Sequence, residues 1–157
     1  MIVWRTSKSK YAPTAFSGIG AAKVGGRFNS IGSPPVVYAA CGTLALALLE
    51  VLVHLHNRIA PPDLSYVRAT IPDSVSREVL EIDNLPINWA MWPHPDSTRI
   101  IGDEWLVRHS SCVLLVPSAV TRVDFNCLIN PQHPDFASIS IDPPTPLDFD
   151  RRLLESA

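Results

Sequence analysis

Between Ser111 and Pro117 runs an unbroken apolar stretch, Cys112-Val-Leu-Leu-Val116. It is too short for a helix and lacks the polar alternation of a strand with one wet face. It therefore reads as a central strand covered on both sides, stopped by the proline. A chain holding such a strand must place layers on both faces of a sheet. At 157 residues it has enough length to do so in one domain, residues 1–157, with a sizeable core.

The remaining pattern supplies shorter strands at close intervals. Strands are expected at Met1–Thr6, Val36–Ala39, Leu64–Ile71, Val79–Ile82, Phe125–Ile129 and Ala137–Ile141, with a last edge strand at Leu147–Phe149. Two helices are expected. One is capped by Thr43 and runs to about Asn57, before Pro61-Pro62. The other spans Thr98–Ser110 and points Trp105, Leu106 and Val107 toward the core. Ser7–Gly26 reads as loop with a short helical turn, and Asn84–Ser97 as an irregular segment packed by its tryptophans. Strands outnumber helices and follow one another too closely for a regular βαβ array.

Composition removes several function classes. Thirteen Lys and Arg against fifteen Asp and Glu give a net charge of −2, with no basic stripe for nucleic acid. The longest apolar run, Leu44–Leu55, is interrupted by Glu50 and His54 and falls short of a bilayer span, and Met1–Arg5 does not resemble a signal peptide. A cytoplasmic location without membrane contact is the expectation. Cys41, Cys112 and Cys127 are widely spaced among apolar residues and read as small buried hydrophobes. His54 and His56 would point to different faces of a helix, so no metal site is expected. Gly18-Ile-Gly20 lacks the third glycine of a dinucleotide fingerprint, since Lys23 stands there.

The chemistry-bearing residues cluster early. Arg27 follows Gly25-Gly26, where the absence of side chains lets a guanidinium approach a phosphate closely, although a solvated surface arginine would also fit. Tyr38, within a short strand, is either a core aromatic or a ring that stacks on a flat ligand. Glu50 shares a helical face with Thr43, Leu46, Ala47, Val53, His54 and Asn57, a face neither wholly wet nor wholly apolar. A carboxylate there is either used or sits on the helix's wet edge. Ser118 closes the most buried strand and reads as a turn cap or a pocket residue. The G-x-S-x-G elbow of a serine hydrolase is missing. Asn126 and Asn130 bracket a strand, either as turn formers or as part of a cleft.

In order along the chain, Trp4-Arg5, Gly25-Gly-Arg-Phe-Asn-Ser-Ile-Gly32, Val37-Tyr-Ala39, Leu46–His54 around Glu50, Gly102-Asp-Glu-Trp-Leu106, Val116-Pro-Ser-Ala119, Asn126–Phe136 and Asp150-Arg-Arg-Leu153 together resemble the RES-domain toxins of RES–Xre toxin–antitoxin pairs. The arginine, glutamate and serine of the family's name fall on Arg27, Glu50 and Ser118, and Phe28 replaces a more frequent tryptophan. The resemblance implies an α+β fold like that of ADP-ribosyltransferases: a split mixed sheet with flanking helices. It also implies an enzyme that consumes NAD as a glycohydrolase or phosphorylase, with no metal. A cognate Xre-type antitoxin would cover the active site in a hetero-oligomer. On that reading Arg27 holds the pyrophosphate, Tyr38 orients the nicotinamide–ribose end and Glu50 stabilises positive charge. Ser118 positions ligand or Glu50, and Asn130 stands on the same wall. Transfer of ADP-ribose to a protein, or a non-catalytic binding module, are the alternatives.

Overall fold

The computed structural model describes residues 1–55, 63–148 and 150–153. Eight strands form one mixed sheet: β1 (Ile2–Lys8), β2 (Val37–Cys41), β3 (Leu64–Thr70), β4 (Arg77–Val79), β5 (Val113–Pro117), β6 (Phe125–Ile129), β7 (Ser140–Ile141) and β8 (Thr145–Pro146). Their order is β4-β5-β6-β2-β1-β3-β7, with β8 also on β3. Among the described residues only β4 and β5 run parallel. Three α-helices flank the sheet: α1 (Ile19–Val24), α2 (Leu44–Leu52) and α3 (Asp96–Arg108). The α+β class, the mixed sheet and the flanking helices agree with the sequence expectation.

The apolar run at 112–116 behaves as its composition requires. Val113 enters one core cluster, while Leu114 and Val116 enter another on the opposite face. The alternation repeats on β2, where Val37 and Ala39 face the first cluster, Tyr38 the second and Ala40 a third. The first face is covered by the 3₁₀ segment Ser9–Ser17, through Ala12, Ala15 and Phe16, and by Ile139. The other face carries two separate packings. Trp105 and Leu106 of α3 press on Leu114 and Leu128, and Leu46 and Ala47 of α2 press on Ala40 and Trp4.

The sheet nearly divides between β1 and β2. β1 pairs with β3 over seven residues but with β2 only at Val3–Cys41 and Trp4–Ala40. Beyond Trp4 the two strands part. Arg5 fills the opening, donating from Nη1 to the Tyr38 carbonyl at 2.5 Å. Burial lowers the guanidinium's pKa, with Tyr38 opposing.

Local differences from the sequence pattern have physical causes. Thr43 caps α2 as expected, its Oγ1 accepting from the Leu46 amide at 3.3 Å, and Gly42, at φ 80°, makes the turn into the helix. The helix stops at Leu52, and Asn57 and Pro61-Pro62 lie outside the described residues. Within Ser7–Gly26, where loop with a short helical turn was expected, helical structure is more extensive, covering Ser9–Ser17 and Ile19–Val24. The strand placed at Val79–Ile82 lies earlier, at Arg77–Val79, because its pairing partner is the start of β5. Only Ser140–Ile141 of the Ala137–Ile141 segment pairs, since Pro134–Ser138 coils into a 3₁₀ turn. The last edge pairing is at Thr145–Pro146, and Phe149 lies outside the described residues. Val107 is 71% exposed on the outer face of α3, one residue past the buried pair. Among the described residues no helix is long and apolar enough to cross a membrane. The three cysteines are free, with Cys112 and Cys127 buried and Cys41 half-buried.

Candidate active site

The candidate residues stand on α2, on β2, at the end of β5, on β6 and on the turn that carries Arg27. Glu50, on the last turn of α2, reaches over Ala40 to the strand beside it. Its Oε1 accepts from Ser118 Oγ at 2.7 Å and from Asn126 Nδ2 at 2.6 Å. Asn126 pairs with Ala40 across β2–β6 and with Val116 across β5–β6. Among the described residues no donor bonds Oε2. The carboxylate is thus held by one oxygen and presents the other.

Ser118 is fully buried where β5 turns toward β6. Its hydroxyl accepts from the amides of Val120 (3.2 Å) and Thr121 (3.3 Å). With its lone pairs so engaged, its single proton goes to Glu50. The residue is turn cap and carboxylate holder at once.

Arg27 lies at the tip of a tight turn closed by the Gly26 amide on the Asn29 carbonyl, 2.9 Å. The turn is fastened from several sides. Phe28 is buried under α3. Asn29 Nδ2 donates to Ala21 O (2.9 Å), Ser30 O (3.1 Å) and Ser33 Oγ (3.0 Å), and the Ser30 amide donates to Asp103 Oδ1 at 3.0 Å. Tyr38 supplies the central fastening. Its hydroxyl accepts from the Phe28 amide at 3.0 Å and donates to Asn29 Oδ1 at 2.8 Å. Burial pushes its pKa well up, so it stays a neutral donor. Tyr38 therefore acts on the turn that carries Arg27, a role its strand position alone does not reveal.

The Arg27 guanidinium donates from Nη1 to the carbonyls of Trp89 and Met91, the latter at 3.0 Å. Burial lowers its pKa, with Glu50 and then Tyr38 opposing, and an arginine remains a cation under such a shift. Among the described residues it forms no ion pair. The site thus sets a cation that forms no ion pair among the described residues near a carboxylate with one oxygen unbonded.

The Asn84–Pro95 segment forms the rim. Trp92 stands edge-on to His54 (centroids 5.8 Å) and His94 (4.5 Å). His54 is tied back through Nδ1 to the Glu50 carbonyl at 2.7 Å. His94 has its pKa lowered to about 4 by burial and by electrostatic repulsion from Arg27, His54 and Arg99 nearby. Trp92 and Met91 are 68% and 60% exposed. Among the described residues no three His, Cys, Asp or Glu side chains converge as a metal would require.

The structure thus brings Arg27, Tyr38, Glu50 and Ser118 into one site: Ser118 bonds Glu50, Tyr38 fastens the Arg27 turn, and the Arg27 and Glu50 charges act on each other. Asn130 is not brought to it. It is buried at the far end of β6, four residues past Asn126, or about 13 Å at strand rise. There its Oδ1 accepts from the Gln132 amide and its own amide bonds the Cys112 carbonyl. Asn126 is the site residue that the sequence only bracketed. Its signal is a polar residue at the strand position whose register neighbours, Ala40 and Val116, are buried and small or apolar. The carbonyls holding Arg27 are backbone groups and carry no sequence signal.

The RES domain family model matches residues 2–150. A Photorhabdus laumondii protein named Toxin Res is 37% identical, covering 99% of each chain. A Sphingobium protein named Prs ADP-ribosylating toxin is 36% identical, covering 98% of this chain and 97% of its own. Among solved structures, the crystal structure of the M. tuberculosis MbcT–MbcA toxin–antitoxin complex contains a chain of similar fold. Its TM-score is 0.72 at 17% identity, covering 93% of this chain and 83% of that one.

Proposed function

The chain belongs to the RES domain family, and on that premise we propose that it is the toxin of a toxin–antitoxin pair that depletes cytoplasmic NAD by cleaving the bond between nicotinamide and ribose. The observation that carries the reading is the Glu50 carboxylate, anchored through Oε1 with Oε2 unbonded among the described residues, and near enough to the Arg27 guanidinium for their charges to interact.

In the proposed reaction the bond between ribose C1′ and the nicotinamide nitrogen breaks, and its electron pair leaves with nicotinamide. The departing base is neutral, so a general acid is not needed. Positive charge develops on C1′ and the ring oxygen. Glu50 Oε2 accepts from a ribose hydroxyl and stabilises that charge. Arg27, with its remaining donors, binds the pyrophosphate. Tyr38 holds the Arg27 turn and presents its half-buried ring to the nicotinamide–ribose end. An acceptor oxygen of water or inorganic phosphate then bonds C1′.

A second reading is favoured by the printed name of the Sphingobium relative: transfer of ADP-ribose to a protein side chain. The same site serves it, with a different acceptor. We also propose a protein antitoxin of the Xre type seated over the rim, where Trp92 and Met91 stand exposed beside the site.

Purified protein freed of any antitoxin should consume NAD, as followed by chromatography. Glu50→Gln and Arg27→Ala should each slow turnover on the order of a hundredfold or more while leaving the protein folded. Isotope-labelled NAD separates the acceptors, with label appearing as free ADP-ribose, as its phosphate ester, or on protein. Undiminished turnover by a folded Glu50→Gln variant would remove Glu50 from the mechanism.

A further inference from the structure

We propose that Asn126 is a positioning residue: it aims the Glu50 carboxylate, fixing which oxygen meets the substrate. The inference rests on the reading of Glu50 as the residue that meets the ligand.

A glutamate side chain has three rotatable torsions, and holding it in one geometry costs rotamer freedom. Glu50 stands near the end of α2, two residues before the helix stops. Something outside the helix must hold its head. Ser118 Oγ and Asn126 Nδ2 both donate to the same oxygen, at 2.7 and 2.6 Å. They come from neighbouring strands, β5 turning at Ser118 and β6 bearing Asn126. Two donors at different angles fix both the position of Oε1 and the plane of the carboxylate. A single donor would leave the carboxylate free to rotate about that bond. Since Oε1 is taken, Oε2 is the oxygen left for the ribose.

The donor must be an amide rather than any side chain of that size. Glu50 when ionised accepts only, so the facing group must donate. Asn126 offers two N–H donors at a register position flanked by buried Ala40 and Val116. A carboxylate there would set two like charges against each other.

The test compares Asn126→Ala with the near-isosteric Asn126→Asp. Positioning predicts a 10- to 100-fold fall in kcat for Asn126→Ala, with KM within about threefold, because ground-state binding through Arg27 survives. It predicts a larger fall for Asn126→Asp, which keeps the shape and inverts the bonding. A role in packing alone predicts the reverse order, and that order would overturn the proposal. A readout independent of turnover is the Asn126 side-chain amide in a proton–nitrogen NMR spectrum, assigned by its loss in Asn126→Ala. Its bonded proton should lie downfield and move upfield in Glu50→Gln. An amide signal indifferent to Glu50→Gln would also overturn the proposal. If the wild type fails to consume NAD while the amide responds to Glu50→Gln, the NAD reading falls and the positioning contact stands. If NAD is consumed and Asn126→Ala turns over at the wild-type rate, the reverse holds.

Discussion

Removing one oxygen atom from Tyr38 tests how the Arg27 turn is held. In Tyr38→Phe the ring remains, but the Phe28 amide and Asn29 Oδ1 both lose their partner. Phe28 and Asn29 are both buried, so water cannot readily replace it. Orphaning a buried polar group costs about 1–3 kcal/mol. Because Tyr38 is itself only half-buried, the lower part of that range applies to each, or about 2–3 kcal/mol in total. For a chain of this size that lowers the melting temperature by about 4–12 °C. Circular dichroism melts at neutral pH measure it directly. The alkaline side supplies a second signature. The folded hydroxyl's pKa is raised above its ordinary 10, chiefly by burial, so its contribution is whole below pH 10 and is lost as pH climbs beyond. Wild type should lose stability there, and Tyr38→Phe should lose less. A variant melting with the wild type at neutral pH would refute the idea that this hydroxyl fastens the turn.

Two further outcomes are expected. A Cβ at Gly102 would stand 1.8 Å from the Phe28 carbonyl oxygen and 2.7 Å from its carbon, so Gly102→Ala must push α3 off the Arg27 turn. The overpacking cost of about 3 kcal/mol exceeds the gain of about 1 kcal/mol in helix propensity, so denaturant titration should show net destabilisation. His94 is held neutral, its pKa lowered to about 4, so its contribution is present above pH 6.5 and lost as pH falls toward 4. His94→Gln should flatten the stability profile across that window, and an unchanged profile would exclude His94 as its source.

Several elements were legible from residue order. The Cys112–Val116 run could only be a strand with core on both faces, because no other element hides five consecutive apolar side chains so cheaply. Thr43 marked the start of α2 through its own hydrogen bond, a local interaction that needs no distant partner. Gly25-Gly26 before Arg27, and Glu50 on a mixed helical face, marked both residues as candidates without deciding between a ligand-binding and a surface role.

What the sequence could not supply was set by contacts between distant segments. Ser118 reads as cap or pocket residue until β5 places it against Glu50, 68 positions away. Asn126 and Asn130 look alike in sequence, yet strand register sends one to the carboxylate and the other to a turn at the far end of β6. Tyr38 gives no hint that its hydroxyl serves the turn ten residues earlier. Local propensity and periodicity are properties of neighbouring residues and survive in the bare chain. Which oxygen of Glu50 is held, and by what, depends on pairing between strands that sequence order keeps apart, so only the folded chain decides it.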